Sequence, residues 1–184
     1  MTNESYDDGA GVDVALVQRW LGGDERAATA LVERHADALS RFAASAGEHD
    51  AIDELVQDTF VRAFNALESF RGESSLRTWL FTIQRRLILD RRRAARRESA
   101  HVVVGEPDAV VGYDALDALV ADETEIRLRR ALDRLTPMQR DVFTLRVQEG
   151  RSYREIAQVL GTTEGAARVH YHNAMRQIKE LLDD

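Results

Sequence analysis

The 184-residue chain contains no cysteine, which removes disulfides, thiolate-ligated zinc and cysteine nucleophiles from consideration. Proline is scarce, with only Pro107 and Pro137, and aromatic residues make up 7% of the chain. No apolar run approaches the roughly 20 residues needed to cross a bilayer, so no direct membrane insertion is expected. The opening MTNESYDDGAG lacks the charged-then-apolar pattern of a secretory signal, and a cytoplasmic location is the expectation. Also missing are a phosphate-cradling glycine loop, a nucleophile constellation and a metal-ligand cluster. His49-Asp50 has no second ligand pair and reads as a helix-start cap. His170 and His172 stand two apart and so face different sides of a helix. A protein that is not an enzyme, with no cofactor and no metal, is expected.

What is abundant is alanine, leucine, arginine and glutamate, which together with the low proline content predict an all-α fold. The net charge of −7 is distributed in blocks. Residues 1–84 and 98–126 carry −8 each, 127–184 carry +3, and seven arginines against one aspartate give 85–97 a charge of +6. Such division points to separate jobs in separate places.

Residues 1–11 are polar and glycine-bearing and are expected to fray. A short helix is predicted over Val12–Leu21, ended by Gly22-Gly23, with Asp24 capping a second helix from Glu25 to about Ser45. In DELVQDTFVRAFNALESF, residues Leu55, Val56, Phe60, Ala63, Phe64 and Leu67 recur at steps of three and four and form one apolar stripe, leaving Glu54, Gln57, Asp58, Arg62 and Asn65 outside it. After the loop Phe70–Ser75, Ser75 is an N-cap for a helix carrying Leu76, Trp79, Leu80, Ile83 and Leu87 on one face. That helix runs into Arg85, Arg86, Arg91, Arg92, Arg93, Arg96 and Arg97. Clustered arginines attract polyanions and fork onto phosphate oxygens, and apolar or aromatic side chains beside them let unstacked bases dock. A plain solvated helix end is the other reading of such a run.

Residues 98–125 read as a linker, with Gly105, Pro107, Gly112 and eight acidic residues before Ile126. Its acidity suits either solubility or occupation of a basic channel. Beyond it, Thr136-Pro137-Met138-Gln139 and Ser152-Tyr153-Arg154-Glu155 are two capping boxes. The first opens a helix that buries Val142, Phe143 and Leu145 or Val147. The second opens a short helix closed by Gly161, after which a last helix runs from about Thr163 to Leu182. Short helix, glycine turn and longer helix make a helix-turn-helix, although an antiparallel helical pair has the same outline. In the last helix Ala167, Tyr171, Ala174 and Ile178 form an inward stripe, and Gly165, Arg168, Val169, His172, Asn173 and Arg176 a second, outward one. There Arg168 suits guanine, Asn173 adenine and Arg176 phosphate.

Taken together, DELVQDTFVRAF, FRGESSLRTWLFTIQRRLILDRRR and LTPMQRDVFTLRVQEGRSYREIAQVLGTTEGA resemble regions 2 and 4 of the extracytoplasmic-function, or group IV, sigma factors of bacterial RNA polymerase, over about Val14 to Leu182. The resemblance implies two small helical domains joined by a flexible acidic linker: a tail at 1–11, region 2 at 12–97, a linker at 98–125 and region 4 at 126–184. It implies an alternative sigma factor that binds core RNA polymerase, directs it to specific promoters and promotes melting. Glu54, Gln57, Asp58 and Arg62 match the surface that docks on the β′ clamp helices. Phe70, Arg71, Gly72, Ser74, Ser75, Leu76 and Arg77 match the segment that captures a flipped base of the minus-ten element, with Arg85, Arg86, Arg91 and Arg92 beside it. Thr163, Glu164, Arg168, Val169, His172, Asn173 and Arg176 match the face that reads the minus-thirty-five element, while region 4 also meets the β flap. An anti-sigma factor is the implied regulatory partner. The chain departs from its relatives at Ala167–Asn173, where His170 and Asn173 stand in place of arginines, which lowers the expected phosphate anchoring. An autonomous helix-turn-helix regulator, and a module that sequesters another regulator without touching DNA, are the competing readings.

Overall fold

The computed structural model describes residues 9–101 and 130–183. The tail expected over 1–8 and the linker expected over 102–125 lie outside the described residues. Seven helices are labelled: α1 (Ala10–Leu21), α2 (Glu25–Ser45), α3 (Ile52–Ala66), α4 (Leu76–His101), α5 (Pro137–Phe143), α6 (Tyr153–Leu160) and α7 (Glu164–Asp183). Residues 130–133 are also helical. Among the described residues there is no strand, and no helix is long and apolar enough to cross a membrane.

Local chemistry explains most boundaries. Asp24 accepts the Arg26 N–H at 3.1 Å and starts α2, after Gly23 has turned the chain at φ +91°. The Ser75 hydroxyl accepts the Thr78 N–H at 3.2 Å and starts α4. Both predicted capping boxes form, with Thr136 and Gln139 opening α5 and Ser152 and Glu155 opening α6. The start of α3 differs from expectation. A 3-10 turn, His49–Ala51, leads into it and no side chain caps it. Helix α4 also runs past the last arginine of its cluster to His101, because no glycine or proline interrupts Glu98-Ser99-Ala100.

The N-terminal unit packs α1–α4 around Leu39, Phe42, Leu55, Phe81 and Ile88, all but inaccessible to solvent. Phe42 and Phe81 meet edge to face at 5.2 Å, a preferred geometry for buried rings. One polar group enters this unit: Asp13 of α1 receives the Arg34 Nε–H at 2.9 Å and lies 3.1 Å from His35 Nε2. Burial opposes its charge, yet His35 and Arg34 together hold the carboxyl below the usual carboxylate range. In the C-terminal unit Ala131, Leu135, Phe143, Ala174 and Ile178 form a small core of their own.

The two units are not apart. Helix α4 packs on α6, and α2 packs on α5 and the turn that follows it. Val142, Leu145, Ile156, Val159 and Leu160 belong to the same apolar cluster as the core of α1–α4, so one hydrophobic core crosses from one unit to the other. Between α5 and α6 the chain widens into a π turn over Thr144–Gln148. This decides the pattern left open by the sequence: Leu145 is fully buried and Val147 is 49% exposed.

Candidate nucleic-acid interface

The turn between α6 and α7 is built by Gly161 at φ +65°, a conformation that strains any other residue. Thr163 then accepts the Ala166 N–H at 3.1 Å and caps α7. The two stripes of α7 separate as the spacing predicts. Ala167 and Ala174 are fully buried and Ile178 nearly so, while Thr163, Glu164, Gly165, Arg168, Val169, His172 and Arg176 are exposed. Asn173 is half-buried and its Oδ1 lies 3.5 Å from an Arg176 N–H donor. Short helix, left-handed glycine and a longer helix with one polar face outward fit a helix that enters a major groove.

The second basic surface is more enclosed. In the loop before α4, Arg71 and Gly72 are exposed and Ser74 and Ser75 half-buried, with Gly72 at φ +70°. Phe70 is half-buried and its ring packs on Trp79 at 5.2 Å, so Trp79 is a wall of this loop's pocket. Leu76 is 4% exposed and sits in the core. Arg77 is tied back to α2, donating to His35 Nδ1 at 3.2 Å and to the Arg34 carbonyl at 3.3 Å. Arg86 is exposed. Arg91 meets Glu54 at 2.9 Å, which joins the surface expected to dock on polymerase to the basic helix. Arg92 pairs with Glu48 at 3.0 Å and also donates to the Ala46 carbonyl. On α3, Gln57 and Arg62 are exposed and Asp58 is half-buried.

Several residues that sequence reasoning did not single out as contacts link the two units. The Thr78 hydroxyl donates to Glu155 at 2.7 Å. Arg151 donates to the Ser75 hydroxyl at 3.3 Å and to Glu155 at 3.1 Å. Arg41 donates to Glu149 at 2.8 Å. Deeper in the contact Arg85 lies 3.4 Å from Asp141, both nearly buried. Burial pushes the Asp141 carboxyl up to about 6 despite the attraction of Arg85, Arg92 and Arg140. Desolvation therefore outweighs pairing here. Arg85 Nε and Nη1 and the whole amide of Gln84 have no hydrogen-bond partner within the protein. Thus the first half of α4, with Ser75 in front of it, is covered by α5 and α6, whereas the outward stripe of α7 is uncovered.

Comparison with known proteins gives the same two blocks. Residues 31–98 match the family "Sigma-70 region 2" and residues 125–178 match "Sigma-70, region 4". The chain is 32% identical over 179 residues to the RNA polymerase sigma factor NccH of Alcaligenes xylosoxydans xylosoxydans, covering 93% of this chain and 95% of that one. It is 36% identical over 132 residues to the sigma factor YlaC of Bacillus subtilis, covering 69% and 75%. Among solved structures, the sigma factor RpoE in complex with the anti-sigma factor NepR from Bartonella quintana superposes with a TM-score of 0.68 at 28% identity, over 84% of this chain and 96% of that one. CnrH in complex with the cytosolic domain of CnrY gives 0.65 at 32% identity, over 93% and 97%. Two helical units in this order, the exposed reading face of α7 and these relatives lead to one identification: the chain belongs to the extracytoplasmic-function sigma factors of the sigma-70 family, initiation factors of transcription and not enzymes.

Proposed function

We propose that this sigma factor divides its work as follows: residues 12–97 dock on core polymerase and open the minus-ten element, residues 126–184 read the minus-thirty-five element and meet the β flap, and 98–125 link them. Glu54, Gln57, Asp58 and Arg62 face the β′ clamp helices. Phe70, Arg71, Gly72, Ser74, Ser75, Leu76 and Arg77 surround a base drawn out of the duplex, and Arg85, Arg86, Arg91 and Arg92 hold the neighbouring backbone. Thr163, Glu164, Arg168, Val169, His172, Asn173 and Arg176 meet the upstream duplex. The observation that carries this reading is the split of α7 into a buried stripe and an exposed polar stripe behind a capped, glycine-turned α6. Because it serves RNA polymerase, the protein works in the cytoplasm.

The enclosed position of Ser75, Arg77 and Arg85 supports a second part of the proposal. The free chain binds promoter DNA weakly, since region 4 covers part of the minus-ten surface and the net charge is −7. Binding to polymerase separates the two units. Both structural relatives are sigma factors held by a partner, RpoE by the anti-sigma factor NepR and CnrH by CnrY. By that likeness an anti-sigma factor holds this chain before release.

The test is transcription in vitro with bacterial core polymerase, with and without the protein, on a fragment library. New starts that share two spaced upstream motifs, and disappear when Phe70–Ser75 is altered, are the expected result. No new starts, together with protection of symmetric sites by the chain alone, would return the autonomous regulator.

A further inference from the structure

The first residue of α6 touches the reading face of α7. Two guanidinium groups lie against the Tyr153 ring, Arg146 with its Cζ 4.9 Å from the centroid and Arg168 at 4.7 Å. Tyr171 meets the same ring edge to face at 6.0 Å. Tyr153 packs on the hydrophobic core, so its ring is a fixed wall. Arg146 is fixed as well, its Nη1 donating to the Arg151 carbonyl at 2.9 Å. Arg168 is exposed, and among the described residues the ring is the contact that holds its charged end.

A guanidinium is planar. Stacking uses its face, and forked hydrogen bonds to guanine O6 and N7 use its N–H edge, so both can be made at once. A free arginine side chain samples many rotamers and loses that freedom on binding a base. A side chain already laid flat on a ring loses less, and its edge points in one direction. The positive charge of Arg146 beside the same ring repels Arg168 and narrows that direction further.

We propose that Tyr153 is a positioning residue for promoter reading: its ring sets the orientation of Arg168 and thereby the base preference at one pair of the upstream element. The proposal rests on the reading of α7 as the helix that contacts that element. Tyr153 itself need touch no base.

The experiment uses holoenzyme assembled from core polymerase and the full chain, on a promoter library randomised through the upstream element, and reads the preference ratio at each base pair. Arg168→Ala is expected to flatten the preference at one pair by about tenfold or more, the scale of a lost bidentate contact. Tyr153→Leu should flatten the same pair by about fivefold and no other, Tyr153→Phe should keep the ratio, and the Tyr153→Leu, Arg168→Ala double variant should be no flatter than Arg168→Ala alone. A uniform loss of output with Tyr153→Leu at every sequence, or flattening by Tyr153→Phe equal to that of Tyr153→Leu, overturns the positioning role. If Arg168→Ala leaves every ratio unchanged, the reading of α7 falls and the proposal with it. A readout independent of how Tyr153→Leu folds is proton NMR of the free wild-type chain, where the Arg168 side-chain protons should be shifted upfield by the ring. Unshifted protons there overturn the stack.

Discussion

The two DNA-facing helices of this protein stand in opposite states. The outward stripe of α7 is open to solvent, with Arg168, Val169, His172 and Arg176 all exposed. The opening half of α4 is closed in: Arg85 is pressed against Asp141, Arg77 is tied to α2, and Ser75 and Thr78 are bonded to residues of the other unit. The difference follows from what each helix does in the free chain. Helix α7 uses one stripe for its core and keeps the other unused. Helix α4 lends part of its polar side to the contact with region 4, so the basic surface that would draw the most DNA charge is the one least available. Covering it leaves buried polar groups without protein partners, and separation of the units would hydrate them. The contact is therefore closed by apolar burial and weakened from within by Gln84 and Arg85.

The strongest way to break the contrast is Asp141→Ala. It leaves Arg85 buried without its counter-charge, which should cost the closed arrangement about 3 kcal/mol. X-ray scattering should then show a larger radius, and the free chain should bind a minus-ten single strand more tightly than wild type. An unchanged radius and affinity would mean that another contact does the covering. Replacing both partners, Arg85→Leu with Asp141→Leu, should restore closure, since an apolar pair carries no desolvation cost.

Lowered pH should sharpen the contrast. The Asp141 carboxyl is pushed up to about 6 from 3.8, so the packed state is favoured most below 3.8 and loses that advantage as pH rises through 6. Moving from about pH 7.5 to about pH 5 should stabilise closure by about 1.4 kcal/mol, roughly tenfold. Glu155 works in the other direction but outside this window. Although burial raises it, its bonds to Ser152 and Thr78 and the charge of Arg151 hold its carboxyl below 4.5. It stays ionised and its contribution fades only as pH falls through that lowered value. Scattering of Asp141→Asn across the same range should show no such trend.

Thr78→Val should have a smaller effect, about 1 kcal/mol, because it deletes one hydrogen bond to Glu155 while keeping the buried volume. Cross-linking yield between the units is a suitable measure, and a yield equal to wild type would place that bond outside the closing contact. Smallest of all is Glu54→Gln. Its pair with Arg91 is solvent-exposed on both sides, and its loss should change the melting free energy by no more than about 0.5 kcal/mol. Affinity for core polymerase should fall by more than that if Glu54 faces the clamp helices, and an affinity that follows stability alone would remove it from the docking surface.

Much of this was legible in the sequence because its signals are local. Ser75, Asp24, the Thr136 and Ser152 capping boxes and Gly161 each act on residues within a turn, and the two stripes of α7 follow from helical spacing alone. Contact between the units has no local signal. Asp141, Glu149 and Arg151 are polar and look like surface positions, yet all three are buried by residues far away along the chain. The π turn was hidden for another reason, since Leu145 and Val147 are both apolar and only the backbone decides which one turns inward. Tyr153 was read as part of a capping box, and its meeting with Arg146 and Arg168 depends on a turn whose width the sequence does not state.

That wide turn works like a vernier between the two halves of the molecule. A π turn spends one residue more per turn than an α turn, so Thr144–Gln148 delays the phase of everything after it. Deleting one residue there would let the helix close in α geometry and swing Arg151 by about 100° around the axis. The arginine would leave both Ser75 and Glu155, and α6 and α7 would rotate with it. A single residue's length at this point therefore tunes which side of region 4 faces region 2.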